Sequence, residues 1–481
     1  MKPDRYKLLL SGMMVIALAV LSACSDSDAE TRVEIWLTTP DKSRLLEQVD
    51  SVSFRSGKSE QSEVIRVDDT IRYQQMDGFG AALTDSSAWL LANALDDERR
   101  DELMKLLFDR EEGIGFSYLR LPMGASDFAL QLYTYDDMPP GETDPELEHF
   151  SIEHDRQYMI PLLKQAMSIN PDLKIMASPW SPPGRMKTSD SLIGGSLKPE
   201  AYEPFARYFV KFIQAYEAEG IPIDAITLQN EPHHVPADYP GMRMEAWEQA
   251  LLIKEYLGPA FEENGINTKI VIWDHNWDEY YYPLSVLGDP DANPYIAGTA
   301  FHGYAGDVSS QSRVKEAYPD KDIYFTESSG GEWSTDFGGN LKWDLQNLII
   351  GSTRHWARTV LKWNLALDEQ HGPYLGGCRD CRGIVTIDRQ TGEVVLNEEY
   401  YAFGHASKFV KSGAFRIESA SSGNGNIETV AFVNPDGSLV LIALNASEDM
   451  REFQVNWRDQ SFACSLPAGA AATMVWNLRE E

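Results

Sequence analysis

Between residues 75 and 395 short apolar runs alternate with amphipathic segments, and this constrains the fold more than any other feature. Strand candidates lie at 76–81, 116–122, 173–179, 224–230, 269–273, 298–302, 322–327 and 359–364. Helix candidates lie between them at 96–110, 155–169, 199–219, 243–264 and 340–357. The segment 199–219 sets Tyr202, Phe205, Tyr208, Phe209, Phe212 and Ile213 on one stripe, as a helix covering a core requires. Strands joined through helices pair in parallel, and eight such units over this length close into a (β/α)8 TIM barrel.

The flanks read differently. Residues 31–74 and 396–481 are rich in alternating, β-prone runs, and Asn434-Pro435-Asp436-Gly437 marks a hairpin turn. Both ends are therefore expected to build one β-sandwich side domain beside a barrel spanning 75–395.

Ahead of them, Lys2, Arg5 and Lys7 precede an apolar run that ends in Leu21-Ser22-Ala23-Cys24. This is the pattern of an export signal, and its end resembles a bacterial lipobox with Cys24 as the lipid-bearing residue. Residues 1–24 are thus expected to be a lipoprotein signal, and the protein to be exported and lipid-anchored to a bacterial envelope, touching membrane only through that anchor. Cys378 and Cys381, three positions apart, are expected to form a small loop-closing disulfide in such a protein. A redox motif would sit in a thioredoxin-like setting, and a zinc site would need a second ligand pair.

Formal net charge is −32, which repels phosphate backbones and argues against nucleic acid as a partner. Neutral sugars are not disfavoured. A monomer is expected.

Catalytic groups of a TIM barrel sit at the C-terminal ends of its strands. Those ends are polar here: Arg120 with Asp127 after it, Trp180, Asn230-Glu231, Trp273-Asp274-His275, His302 and Tyr304, Glu327, and Trp363-Asn364. Glu231 and Glu327, on the fourth and seventh strand ends, would face one another across the mouth. Two carboxyls about 5–5.5 Å apart are what retaining glycoside hydrolysis uses, one as nucleophile and one as acid/base. Mutual repulsion would keep one of them protonated. Trp180, Trp273, Trp277, Trp333 and Trp363 could stack on sugar faces, while Asp127, Asn230, His302 and Asn364 could bind hydroxyls. Glu231-Pro232-His233-His234 lacks the i, i+4 histidine spacing of a helical zinc site, so neither a metal nor any other cofactor is expected.

DGFGAALTDSSA (77–88), RLPMGASDF (120–128), ASPWSPPGRMKT (177–188), TLQNEP (227–232), AFHGY (300–304), YFTESSGG (324–331) and WNLALD (363–368) together resemble glycoside hydrolase family 30. That family includes glucosylceramidases and microbial endo-β-1,6-glucanases. The resemblance implies a retaining enzyme with Glu231 as acid/base and Glu327 as nucleophile. It implies that Asp127, Trp180, Asn230, Tyr304 and Trp363 line the first sugar subsite. WNLALDEQHGPYLGGCRDCRG and HHVPADYPGM look more like the β-1,6-glucanase branch, so a β-glucan or another β-glucoside is the expected substrate. A glucosylceramidase-like β-glucosidase and a non-catalytic glycan-binding lipoprotein are the alternatives.

Overall fold

A computed structural model describes residues 31–59, 63–139, 141–422 and 425–477. The lipobox expected at Cys24 lies outside them.

Eight parallel strands close into a barrel: Gly78–Ala82, Tyr118–Pro122, Lys174–Ser178, Ala225–Thr227, Lys269–Asn276, Ile296–His302, Asp322–Glu327 and Ala357–Lys362. Their order around the barrel follows the sequence, as successive βαβ units require. Inside, Tyr118, Met176, Ala225, Val271, Ala300, Tyr324 and Leu361 form one packed layer. Below it the N-terminal end is plugged by ion pairs. Lys174 meets Asp77 at 2.6 Å, Arg358 meets Asp77 at 2.9 Å and Asp322 at 2.8 Å, and Lys269 meets Asp224 at 3.0 Å.

The helices form where their caps allow. Thr84 accepts from the Ser87 amide and starts Asp85–Asn93, and Asp96 does the same for Asp97–Phe108. Helix Tyr202–Ala218 buries the whole aromatic stripe read from the sequence. The segments expected as single helices over 243–264 and 340–357 each contain a π-helical stretch, Ile253–Leu257 and Asp344–Ser352.

Both ends of the chain do build the second domain. Ten strands are hydrogen-bonded in one order: 47–53, 32–38, 471–476, 439–445, 427–433, 415–421, 64–75, 451–457, 460–466 and 55–56. They enclose a core that includes Phe54, Ile417, Leu441, Trp457, Phe462 and Trp476. The sandwich strands resume at Phe415, later than the expected boundary at 396, because helix Glu398–Ser407 intervenes. That helix joins the two domains, since its buried His405 bonds Thr38 at 2.8 Å and Thr473 at 2.9 Å. Strand Gln460–Leu466 was not anticipated, and Cys464 lies on it, partly buried and unpaired with another cysteine.

Candidate active site

The second barrel strand turns Arg120 into the barrel, fully buried. Its guanidinium donates to Asp274 Oδ2 at 2.7 Å, to Asn230 Oδ1 at 2.7 Å and to Glu327 Oε2. Arg120 therefore lies beneath the mouth and organises it.

Asp274 is the other centre of this layer. It accepts from Thr227 and Thr326, both at 2.7 Å, and contacts His302 Nε2 at 3.1 Å. Strict alternation from the inward Val271 would turn Trp273 inward and Asp274 outward. The structure does the reverse. Trp273 and Asp274 take φ of 72° and 68°, and the pairing with the sixth strand shifts register there. Such a bulge re-aims side chains beside a site. Trp273 consequently packs against Tyr282 at 4.4 Å between ring centres and is no sugar platform. Trp277 is likewise core, donating to Gln311 at 2.9 Å.

The fourth strand ends at Thr227, three residues before the expected end at 230. Pro179 O holds the Asn230 amide at 2.8 Å, and Asp274 O holds the Glu231 amide at 3.0 Å. Glu231 itself has φ 44°, a left-handed conformation that costs energy in a non-glycine residue. Its carboxylate meets His302 Nδ1 at 2.9 Å. Glu327 receives Arg120 on one oxygen and Tyr304 Oη at 2.9 Å on the other. One oxygen each of Glu231 and Glu327 and a ring nitrogen of His302 all lie within 4.8 Å of one another.

Burial favours neutral Glu231, but the hydrogen bond and charge of His302 outweigh it and bring the acid to about 2. Burial pushes His302 down, yet Glu327, Asp274 and Glu231 raise it to about 9. Burial pushes Glu327 up, opposed by His302 and Arg120 and reinforced by Glu231. Taken singly, a low Glu231 and a raised Glu327 run against an acid at the first and an anion at the second. The His302–Glu231 contact holds one proton, however, and the proton belongs to the pair rather than to either atom. Asp274 is pinned as a carboxylate, so Nε2–H of His302 points to it and the shared proton lies on the Nδ1–Glu231 side. For Glu327 the hydrogen bonds from Arg120 and Tyr304 are those an anion needs.

Above these groups opens a cleft of about 400 Å³ lined by Asp127, Glu231, His234, Tyr239, His275, Asn276, Tyr304, Glu327, Trp333, Trp363 and the sulfurs' residues Cys378 and Cys381. Trp180 and Trp363 stack with ring centres 5.0 Å apart, and the Arg120 guanidinium lies 4.9 Å from the Trp180 ring. Burial, with Glu327 adding to it, pushes the Asp127 carboxyl well above the usual range.

The Glycosyl hydrolase family 30 TIM-barrel domain matches residues 76–410, and the family's beta sandwich domain matches residues 413–474. The chain belongs to glycosyl hydrolase family 30. Among the relatives of this family 30 chain is Endo-1,6-beta-D-glucanase neg1 of Aspergillus fumigatus, 36% identical over 80% of this chain and 82% of that protein. The lysosomal acid glucosylceramidase of Mus musculus is 31% identical over 84% of this chain and 82% of its own. A solved structure described as an endo-beta1,6-glucanase superposes with a TM-score of 0.86, 34% identical, covering 93% of this chain and all of that one.

Of the site residues expected in this family 30 barrel, Asp127, Glu231, Tyr304, Glu327 and Trp363 line the cleft, and Trp180 backs Trp363. Asn230, His302 and Arg120 form the layer beneath, holding the two glutamates. Asn364 is turned away. It is fully buried at φ 64° and accepts from Thr84 Oγ1 at 3.0 Å, bracing the first helix instead of the cleft. Cys378 and Cys381 are joined as a disulfide in the wall.

Tyr239, His234, His275 and Asn276 were missed as cleft residues. Tyr239 and His234 bond each other at 2.9 Å on the loop after Glu231, whose dense polar-aromatic run HHVPADY was a readable signal. A divalent ion would find three possible ligands in Glu231, His302 and Glu327. It would also meet the fixed charge of Arg120 on Glu327, and the Glu327 oxygen that faces His302, Oε1, already accepts from Tyr304.

Proposed function

We propose that the protein hydrolyses β-glucosidic bonds with retention, acting on β-1,6-glucan. The observation that carries this is the close approach of two carboxyls, one oxygen of each within 4.8 Å, at facing strand ends. This supports retention, since inverting enzymes set their two carboxyls about 6.5–9.5 Å apart. Glu327 attacks the anomeric carbon as the C1–O bond breaks. Glu231 passes its proton, drawn from the pair it forms with His302, to the departing oxygen. Water then loses a proton to Glu231 and attacks C1, and Glu327 leaves as carboxylate.

The 1,6 linkage is supported by the fungal and solved relatives named as 1,6-glucanases. Incubation with a 2-deoxy-2-fluoro-β-glucoside bearing a good leaving group should esterify Glu327, as read by peptide mass spectrometry. A label on another residue, or none while turnover continues, would remove Glu327 from its role. Proton NMR of the first-formed product should show the β-anomer, and an α-product would overturn retention. Release of soluble oligosaccharides from β-1,6-glucan, with laminarin inert, tests the linkage.

Export and lipidation at Cys24 are part of the same reading, supported by the basic-apolar-Leu-Ser-Ala-Cys order and by a disulfide suited to an oxidising compartment. Detergent-phase partitioning of the cell-expressed protein, lost in Cys24→Ala, checks it.

A further inference from the structure

Beside the cleft lies a second cavity of about 510 Å³, between the loop after Glu327, the π-helical stretch and the start of helix Glu398–Ser407. The two openings adjoin, and Tyr304, Ser329 and Trp333 line both. Nothing in the two-carboxylate chemistry uses the second one, yet its lining is unusual. Trp333 and Trp343 are 57% and 40% exposed there, among the large apolar side chains the protein leaves to solvent. Ser334 and Asn340 bond each other at 2.6 Å on its wall. Lys362 and Asp344 form a closed pair at 2.6 and 2.8 Å, and Arg382 closes on Glu399 at 2.7 Å.

Glu398 is the exception. It is 5% exposed, lines this cavity, and both its carboxyl oxygens lack a hydrogen-bond partner among the described residues. A buried polar group left unpaired is costly, so one that persists calls for an occupant. Burial, together with Asp344 and Glu399, pushes this acid well upward. The other charges of its lining are paired off, so it offers an anion no free cation among the described residues. Indole faces beside a carboxyl whose two oxygens lack a partner match a hydroxylated ring better than an ion.

We propose that this cavity is a further sugar-binding subsite, taking a glucose unit of the glucan chain beyond the one held over Glu231 and Glu327, with Glu398 bonding its hydroxyls and Trp343 packing on its face. This rests on the reading of the protein as a glucan hydrolase.

The test is chain-length dependence. Wild type, Trp343→Ala, Glu398→Leu and Glu398→Gln are assayed on gluco-oligosaccharides of two to six units in 1,6, 1,3 and 1,4 linkage, with an aryl β-glucoside as reference and thermal melting as a check on folding. In the linkage series that is cleaved, wild-type kcat/KM should rise with length relative to the aryl glucoside. That ratio should fall about tenfold in Trp343→Ala and Glu398→Leu, the scale of losing one good contact. Glu398→Gln, which keeps a donor and an acceptor, should retain more of the dependence than Glu398→Leu. An identical length dependence in all four proteins overturns the subsite while leaving the glucanase reading intact. Cleavage of a series other than the 1,6 overturns the linkage alone. Cleavage of the aryl glucoside with no series cleaved overturns both.

Discussion

The two ends of the barrel are built from the same materials and differ in how they are settled. At the N-terminal end Asp77, Asp224 and Asp322 meet Lys174, Lys269 and Arg358. Acids and bases match there, although the seventh and eighth strands shift register beside Asp322 and Arg358. At the C-terminal end Asp274, Glu231 and Glu327 share one Arg120 and one His302. There the backbone takes left-handed turns at Glu231, Trp273, Asp274 and Asn364. One network is closed, with no left-handed residue among its charged members. The other carries surplus negative charge and stored strain, which a stabilising plug would not need and a catalytic site does. The difference teaches that buried charge by itself does not mark function. Imbalance and strain together do.

The sharpest way to break the comparison is one substitution at each end. Glu327→Ala should lower kcat on an aryl β-glucoside by about 10⁴-fold or more, on the scale of lost nucleophiles, with an unchanged melting curve. Asp77→Asn should do the opposite, costing about 3–5 kcal/mol in denaturant unfolding, as for a broken buried pair, while kcat per folded molecule is kept. Burial opposes the charge of Asp77, but Arg358, Lys269 and Lys174 hold its pKa below 3.8. Its contribution is therefore present above pH 3.8 and lost as pH falls through the lower folded value, so the stability gap between wild type and Asp77→Asn should narrow under acid.

A smaller effect is expected at the mouth from Asp274→Asn. It leaves shape but removes the charge that fixes the His302 tautomer, and kcat/KM should drop about 10²–10³-fold, comparable to losing one preorganised electrostatic partner. Unchanged kinetics would mean that the bulge serves packing alone. Smaller again is a pH effect on stability. His302 is raised from 6.5 to about 9, so its stabilisation is complete below pH 6.5 and is lost as pH rises through 9. The wild-type melting temperature should fall by roughly a few degrees over that window, and His302→Gln should be flatter there. Least affected is the disulfide. Cys378→Ser with Cys381→Ser should barely move the melting temperature, because the closed loop is short, but should raise KM about threefold by loosening a cleft wall.

Much of this was legible beforehand, for physical reasons. Barrel strands are buried on both faces and so appear as apolar runs, and Glu231 and Glu327 are conspicuous where such runs end. Asp274 was not legible as a hub. Its inward aim depends on two left-handed residues that no hydrophobic period encodes, and the same period would have sent Trp273 inward. A lone acid within the run KIVIWDHN was the available hint. Asn364 misled in the same way, since a left-handed residue just past the eighth strand turns its amide toward Thr84. Strand Gln460–Leu466 escaped notice because its inward Phe462 and Leu466 are separated by Ala, Cys and Ser, too weak an alternation to read.

The bulge at Trp273–Asp274 has one more consequence. Below it the fifth strand sends odd-numbered residues into the barrel, and above it the even-numbered Asp274. A single peptide step thus changes the phase of the pleat, letting one strand serve a greasy interior in its lower half and a charged one in its upper half. Straightening that step into unbroken alternation would leave the lower half in place and exchange an aspartate for an indole at the centre of the mouth.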